Sequence, residues 1–129
     1  RRAAPPPACG VILADTSIWI DHLRRSEARL VALLSNNQVL MHPFVVGEIA
    51  LCSLARRGAV IEILEELPQA AIATHGEVMA LVERERLNGL GIGYVDVHLL
   101  ASARLAGAGL WTRDQRLLSA AEKLGLATG

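Results

Sequence analysis

Residues 11–14 (Val-Ile-Leu-Ala) form an unbroken apolar run that stops at Asp15, and this pattern limits the fold more than any other feature of the chain. An apolar run this short, without polar alternation, suits a strand buried on both faces. Two later segments repeat the pattern: VLMH at 39–42 ends at Pro43, and LWT at 110–112 ends at Arg113-Asp114. The stretches between them have helical apolar spacing. Strands alternating with helices predict an α/β chain with a central, mostly parallel sheet and helical layers on both faces.

A helix is expected to start at Thr16 or Ser17, either of which can serve as its N-cap. Its pattern continues over 18–34, broken by a polar patch from Arg24 to Glu27, and Asn36-Asn37 marks a turn. After Pro43, which is well tolerated in a first helical turn, a helix carrying Glu48 is expected to run toward Arg57-Gly58. A short helix over 59–67 is closed by Pro68, and AAIAT at 70–74 reads as a brief strand or an extended connection. Residues 77–87 are helical in pattern, 88–93 (NGLGIG) form a loop, and Asp96 opens a helix ending at Gly107. The last helix ends near Lys123-Leu-Gly125, with a basic residue and a glycine in the C-terminal places.

A length of 129 residues suits one domain, assigned here to 11–129. Residues 1–10, with two Arg and three consecutive Pro, are expected to be a flexible leader, foreign to the natural start or upstream of it. No apolar run approaches the ~20 residues that span a bilayer, so no membrane role is expected. Cys9 and Cys52 make neither a disulfide framework nor a zinc spacing, which points to a reducing, cytoplasmic setting. The net charge of zero argues against a generally basic nucleic-acid-binding surface. Setting aside Asp15, Glu48, Asp96 and Asp114 changes that balance, because nine acidic residues then face 13 basic ones. An acidic pocket in a mildly basic surround suits a metal-bridged phosphate substrate.

Asp15 and Asp114 lie just past two predicted strand ends, where open α/β sheets bind ligands. Glu48 sits within or beside the apolar stripe of Phe44, Val45, Ile49 and Cys52, and Asp96 precedes Leu99, Leu100 and Ala103 at helical spacing. Both carboxylates are therefore expected to point inward, where each needs a partner. The remaining aspartate, Asp21, reads as an exposed helix residue. Converging carboxylates about 4 Å apart repel by about 4 kcal/mol at an effective dielectric near 20. A hard divalent cation, Mg2+ or Mn2+ in its place, offsets that repulsion in an all-oxygen site, and such an ion supports phosphodiester hydrolysis.

The segments LADTSIWIDHL, FVVGEIA, YVDVHLLASARL and LWTRDQRLL, taken in order, resemble PIN-domain ribonucleases, especially VapC-type toxins. The resemblance runs from about residue 11 to the end of the chain. It implies a PIN-like three-layer α/β/α sandwich, Mg2+- or Mn2+-dependent endoribonuclease activity as the toxin of a toxin–antitoxin pair, a cognate antitoxin and a homodimer. Carried over by position, it makes Asp15 and Asp96 metal ligands, with Glu48 and Asp114 completing the site directly or through water. Thr16, Ser17, Thr112 and Arg113 become substrate contacts or supports for the acids.

Blander readings stand beside these. Asp15 and Asp96 suit helix N-termini, and Thr112-Arg-Asp-Gln115 fits a capping box. Arg24, Arg25, Arg56, Arg57, Arg113 and Arg116 guide an RNA backbone or form solvated faces. The four histidines show no paired-ligand spacing, the glycines at 89, 91 and 93 read as a hinge or turn, and Cys52 and Ser17 lack a nucleophile signature. Trp19, Phe44, Tyr94 and Trp111 read as core or dimer-interface residues. The competing functions are another metal-dependent phosphoryl-transfer hydrolase and a catalytically silent PIN-fold binding module.

Overall fold

The computed structural model describes residues 10–129; the expected leader therefore lies outside the described residues, apart from Gly10. The Gly10 carbonyl accepts a hydrogen bond from Gln38 Nε2 at 2.9 Å. Three short strands, β1 (Ile12–Ala14), β2 (Val39–Leu40) and β3 (Gly109–Trp111), form a parallel sheet in the order β2-β1-β3. Ile12 pairs with Val39 on one side and Gly109 on the other, and Ala14 pairs with Trp111. Single parallel bridges extend both edges, Met41 to Gln69 and Leu110 to Ala127. The predicted segment at 70–74 is thus mainly an extended connection, tied to the sheet by the Ala70 N–H donating to Met41 O at 2.7 Å.

Among the described residues there are seven helices: α1 (Thr16–Arg24), α2 (Ala28–Ser35), α3 (Pro43–Ala50), α4 (Arg57–Glu66), α5 (His75–Glu85), α6 (Tyr94–Ala106) and α7 (Gln115–Lys123). β1 is buried along its whole length, as a strand covered on both faces must be. α6 buries every residue from Val97 to Ala103 and packs on β1 and β3, while α1 packs on β1 and α2 on β2. α7 buries only Leu117, Ala120 and Ala121, so its outer face remains in solvent. This is the α/β/α sandwich expected from the alternation of strand and helix. Among the described residues no helix is long and apolar enough to cross a membrane.

Several boundaries differ from expectation for local reasons. Residues 16–35 form two helices, because Arg25 takes an extended conformation at φ −150° and ψ 109°. The N-cap of α1 is Asp15, with Thr16 and Ser17 already helical. α3 stops at Ala50, and α4 begins separately after Arg56, whose φ of 53° is left-handed. α5 starts at His75 behind a Thr74–Glu77 capping box. α6 starts two residues before Asp96 and ends where Gly107 adopts φ 65°, a conformation glycine reaches at little cost.

Candidate active site

The chain passes from β1 out to β2 and later returns to place β3 on the other side of β1. That reversal makes the carboxyl ends of β1 and β3 the switch point of the sheet, the general ligand position of open parallel sheets. Asp15 follows β1 directly and is 6% exposed. Its Oδ1 accepts from Ser17 Oγ at 2.5 Å and from the Ile18 N–H at 3.3 Å, and its Oδ2 accepts from Thr112 Oγ1 at the end of β3. Burial raises its pKa, and the hydrogen bonds from Ser17, Thr112 and the backbone oppose that rise without cancelling it. Two of these donors sit on Oδ1 and one on Oδ2, so Oδ2 is the less committed oxygen.

The loop after β3 is laced to the same point. The Asp114 N–H donates to Thr112 Oγ1 at 3.0 Å, and the Arg113 N–H donates to Ser17 Oγ at 3.1 Å. Both hydroxyls therefore relay backbone positions of one loop onto the carboxylate of the other. Thr112 does not cap α7, as the capping-box reading suggested. Asp114 does, its Oδ1 accepting from the Arg116 and Leu117 N–H groups at 2.9 and 3.0 Å, because Thr112 is still buried at the strand end.

Glu48 does not point inward; it is exposed on α3. Its apolar neighbours Val45 and Ile49 take the buried face, and Glu48 Oε1 accepts from Thr16 Oγ1 at 2.5 Å. Asp96 is half-buried in the first turn of α6, with Oδ2 accepting from the Gly93 N–H at 3.0 Å. Hydrogen bonds thus join Asp15, Ser17, Thr112, Arg113 and Asp114, with Glu48 tied to the adjoining Thr16. The four acids are not gathered into one tight cluster: among the described residues no three Asp, Glu, His or Cys side chains are placed to hold an ion together.

Two site residues escaped the sequence reading. Asp21 lies on α1 with its side chain largely in solvent, as expected, but with Glu27 it grips the Arg113 guanidinium, at 2.7 and 2.5 Å. The partners lie 92 and 86 residues apart in sequence, so no local spacing could have paired them. Arg113 also lies over the Trp111 ring, 5.8 Å from its centroid, and Arg29 stands 4.6 Å from the same ring.

A family model described as "PIN domain" matches residues 12–123. The chain belongs to the PIN-domain family. This PIN domain is 49% identical over 92 residues to proteins named Ribonuclease VapC32 from the CDC 1551 / Oshkosh and H37Rv strains of Mycobacterium tuberculosis. Those matches cover 71% of this chain and 74% of each relative. Among solved structures, the PIN domain resembles a chain of FitAB bound to an IR36 DNA fragment, with 21% identity and a TM-score of 0.57 over 87% of this chain and 91% of that one. It also resembles PAE2754 from Pyrobaculum aerophilum, with 15% identity and a TM-score of 0.56 over 86% and 79% of the two chains. At those identities the two structures speak to the fold alone.

Proposed function

We propose that this PIN domain is a divalent-metal-dependent endoribonuclease, the toxin of a VapC-type toxin–antitoxin pair. The observation that carries the reading is Asp15. It is a buried carboxylate at the switch point of the sheet, fixed by three donors and still disfavoured as an anion. A nearby cation relieves that penalty, and the candidate ligand side chains are all carboxylates and hydroxyls, which suits a hard ion such as Mg2+ or Mn2+. The similarity to proteins named Ribonuclease VapC32 supports RNA as the substrate.

Asp15 and Asp96 would hold the ion, with Glu48 and Asp114 contributing directly or through water. One or two carboxylates with several waters is an ordinary magnesium arrangement, so a looser set of acids is compatible with it. When bound, the ion supplies charge stabilisation at the phosphoryl oxygens and lowers the pKa of water. The chain's own residues supply orientation. Ser17 and Thr112 hold Asp15 in one rotamer with both oxygens hydrogen-bonded, which favours its ionised form. Thr16 turns Glu48 toward the end of β1, and Asp114 keeps α7 anchored beside the switch point while one of its oxygens remains uncommitted to the helix cap. The cognate antitoxin would cover the acidic pocket with a basic side chain that takes the place of a cation's charge, and the domain would act as a homodimer.

Cleavage of a structured RNA pool tests the reading, with Mg2+, with Mn2+ and with chelator, using wild type, Asp15→Asn and Asp96→Asn from matched preparations. The expected result is metal-dependent cutting by wild type and a loss of roughly 100-fold or more in each variant, the scale implied by several kcal/mol of charge stabilisation. Equal cutting by all three proteins would refute the site.

A further inference from the structure

The acidic site accounts for where a phosphodiester would be cut, but not for what holds the strand on either side of the cut. Arg113 is poorly suited to that task, because two carboxylates already take its guanidinium. Arg116 is different. It is exposed and forms no ion pair among the described residues. It lines a groove of about 550 Å³ between α7 and the loop 88–93, together with Gly89, Leu90, Gln115, Ser119 and Lys123. The lining holds two cations, no carboxylate and no aromatic ring.

Arg116, Ser119 and Lys123 recur at i, i+3 and i+7, so they share one face of α7, and the two cations are about 10.5 Å apart along its axis. Each cation has a contact on a neighbouring element. The Arg116 side chain lies flat on Gly91, where a Cβ would stand 2.8 Å from both Arg116 Cδ and Nη1. Gly91 also has φ +78°, so two independent constraints keep a side chain off that position. Lys123 Nζ donates to Glu85 O at 2.6 Å, with Arg86 O at 3.5 Å. Those acceptors are uncharged backbone carbonyls, so no carboxylate pairs with the ammonium among the described residues, and it has donor capacity to spare. Both walls lead into the acidic site: α7 starts at its cap Asp114, and the loop feeds Gly93 and Asp96.

We propose that this groove carries one strand of the RNA beside the cleavage site, with Arg116 and Lys123 each holding a backbone phosphate. The proposal rests on the ribonuclease reading. Phosphate contacts position a strand without reading its bases, and a groove without aromatic rings offers no stacking platform. Affinity contributed here is therefore indifferent to sequence, and target choice lies elsewhere.

The test is fluorescence anisotropy of a labelled, mixed-sequence single-stranded RNA in chelator across a salt series, paired with steady-state cleavage in Mg2+. The proteins are wild type, Arg116→Gln, Lys123→Gln, the double variant and Arg116→Lys, each checked for an unchanged melting profile. Each Gln variant is expected to weaken RNA affinity about 3- to 10-fold and to lower the slope of log affinity against log salt by about 0.7 per cation lost. KM is expected to rise while kcat at saturating RNA changes little, and Arg116→Lys is expected to restore most of the loss. If Lys123→Gln unsettles α5, Arg116→Gln decides alone, since the Arg116 side chain makes no hydrogen bond or ion pair among the described residues. Unchanged affinity and salt slope in the variants, with wild type binding and cutting RNA, would overturn the groove and leave the nuclease standing. Weakening confined to an acidic protein partner would also overturn it. Wild type that neither binds nor cuts RNA would remove the ribonuclease reading and this proposal together.

Discussion

His42 shows how a single residue ties the fold to pH. Its side chain is fully buried. Nδ1 accepts the Phe44 N–H at 3.0 Å, capping α3, which leaves Nε2 protonated and able to donate to Ser102 Oγ at 3.1 Å. Ser102 in turn donates to Ala71 O at 2.7 Å. Burial, followed by repulsion from His98, pushes the His42 pKa down to about 4. His98 is lowered too, by its own burial and then by His75. The unfolded chain takes up these protons first, so stability is complete above about pH 6.5 and is lost as pH falls toward 4. For His42 the loss reaches roughly 3 kcal/mol across the window. Urea unfolding at pH 7 and pH 4.5 checks this, with His42→Asn expected to keep a cap acceptor and flatten the slope; a wild type equally stable at both pH values would contradict it. Nothing in the sequence marked this pair, because Ser102 lies 60 residues away and His42 matches no ligand spacing.

Between elements, the decisive contact is the grip of Asp21 on α1 and Glu27 at the start of α2 on Arg113 in the loop before α7. It holds that loop where the Arg113 N–H reaches Ser17 and the Thr112 hydroxyl reaches Asp15. Exposed ion pairs contribute about 0.2–1 kcal/mol each, so Arg113→Ala is expected to cost roughly 1 kcal/mol of stability. Its larger effect is on orientation: kcat is expected to fall about 10-fold with KM little changed, the reverse of the Arg116 pattern. Steady-state kinetics on one RNA substrate separates the two, and a rise in KM alone for Arg113→Ala would make it a substrate contact instead. The strands and most helices were legible from sequence, because a buried strand beside a short loop leaves a local apolar signature. The break at Arg25 showed only as a polar patch within a continuing pattern, and the early end of α3 did not show at all, since both depend on backbone conformations at residues without Gly or Pro to announce them. Likewise Asp15 and Thr112 could each be singled out as residues beside strand ends, but their bond arises only because β3 pairs with β1. Glu48 turned outward because Val45 and Ile49 claimed the inner face of α3, a choice that periodicity alone did not decide.

For the whole molecule, the sheet order concentrates an unfavourable charge at its own switch point. Asp15 has a raised pKa, so the folded chain binds its proton more tightly than the unfolded one, and stability falls as pH rises through that window. At neutral pH the ionised carboxylate therefore works against folding unless a cation accompanies it. Two linked outcomes are expected in thermal unfolding. Asp15→Asn without metal should be more stable than wild type by roughly 0.5–2 kcal/mol, the usual gain when a functional compromise is removed. Saturating Mg2+ or Mn2+ should stabilise wild type, since binding at about 100 times Kd contributes about 2.7 kcal/mol, or roughly 5–10 °C for a domain of this size. The variant should show little of that shift. A shift that persists undiminished in Asp15→Asn would place the ion away from the end of β1. A wild type indifferent to both ions, with the variant no more stable, would reduce Asp15 to the N-cap of α1, and the energetic reason for a cation at this sheet would disappear with it.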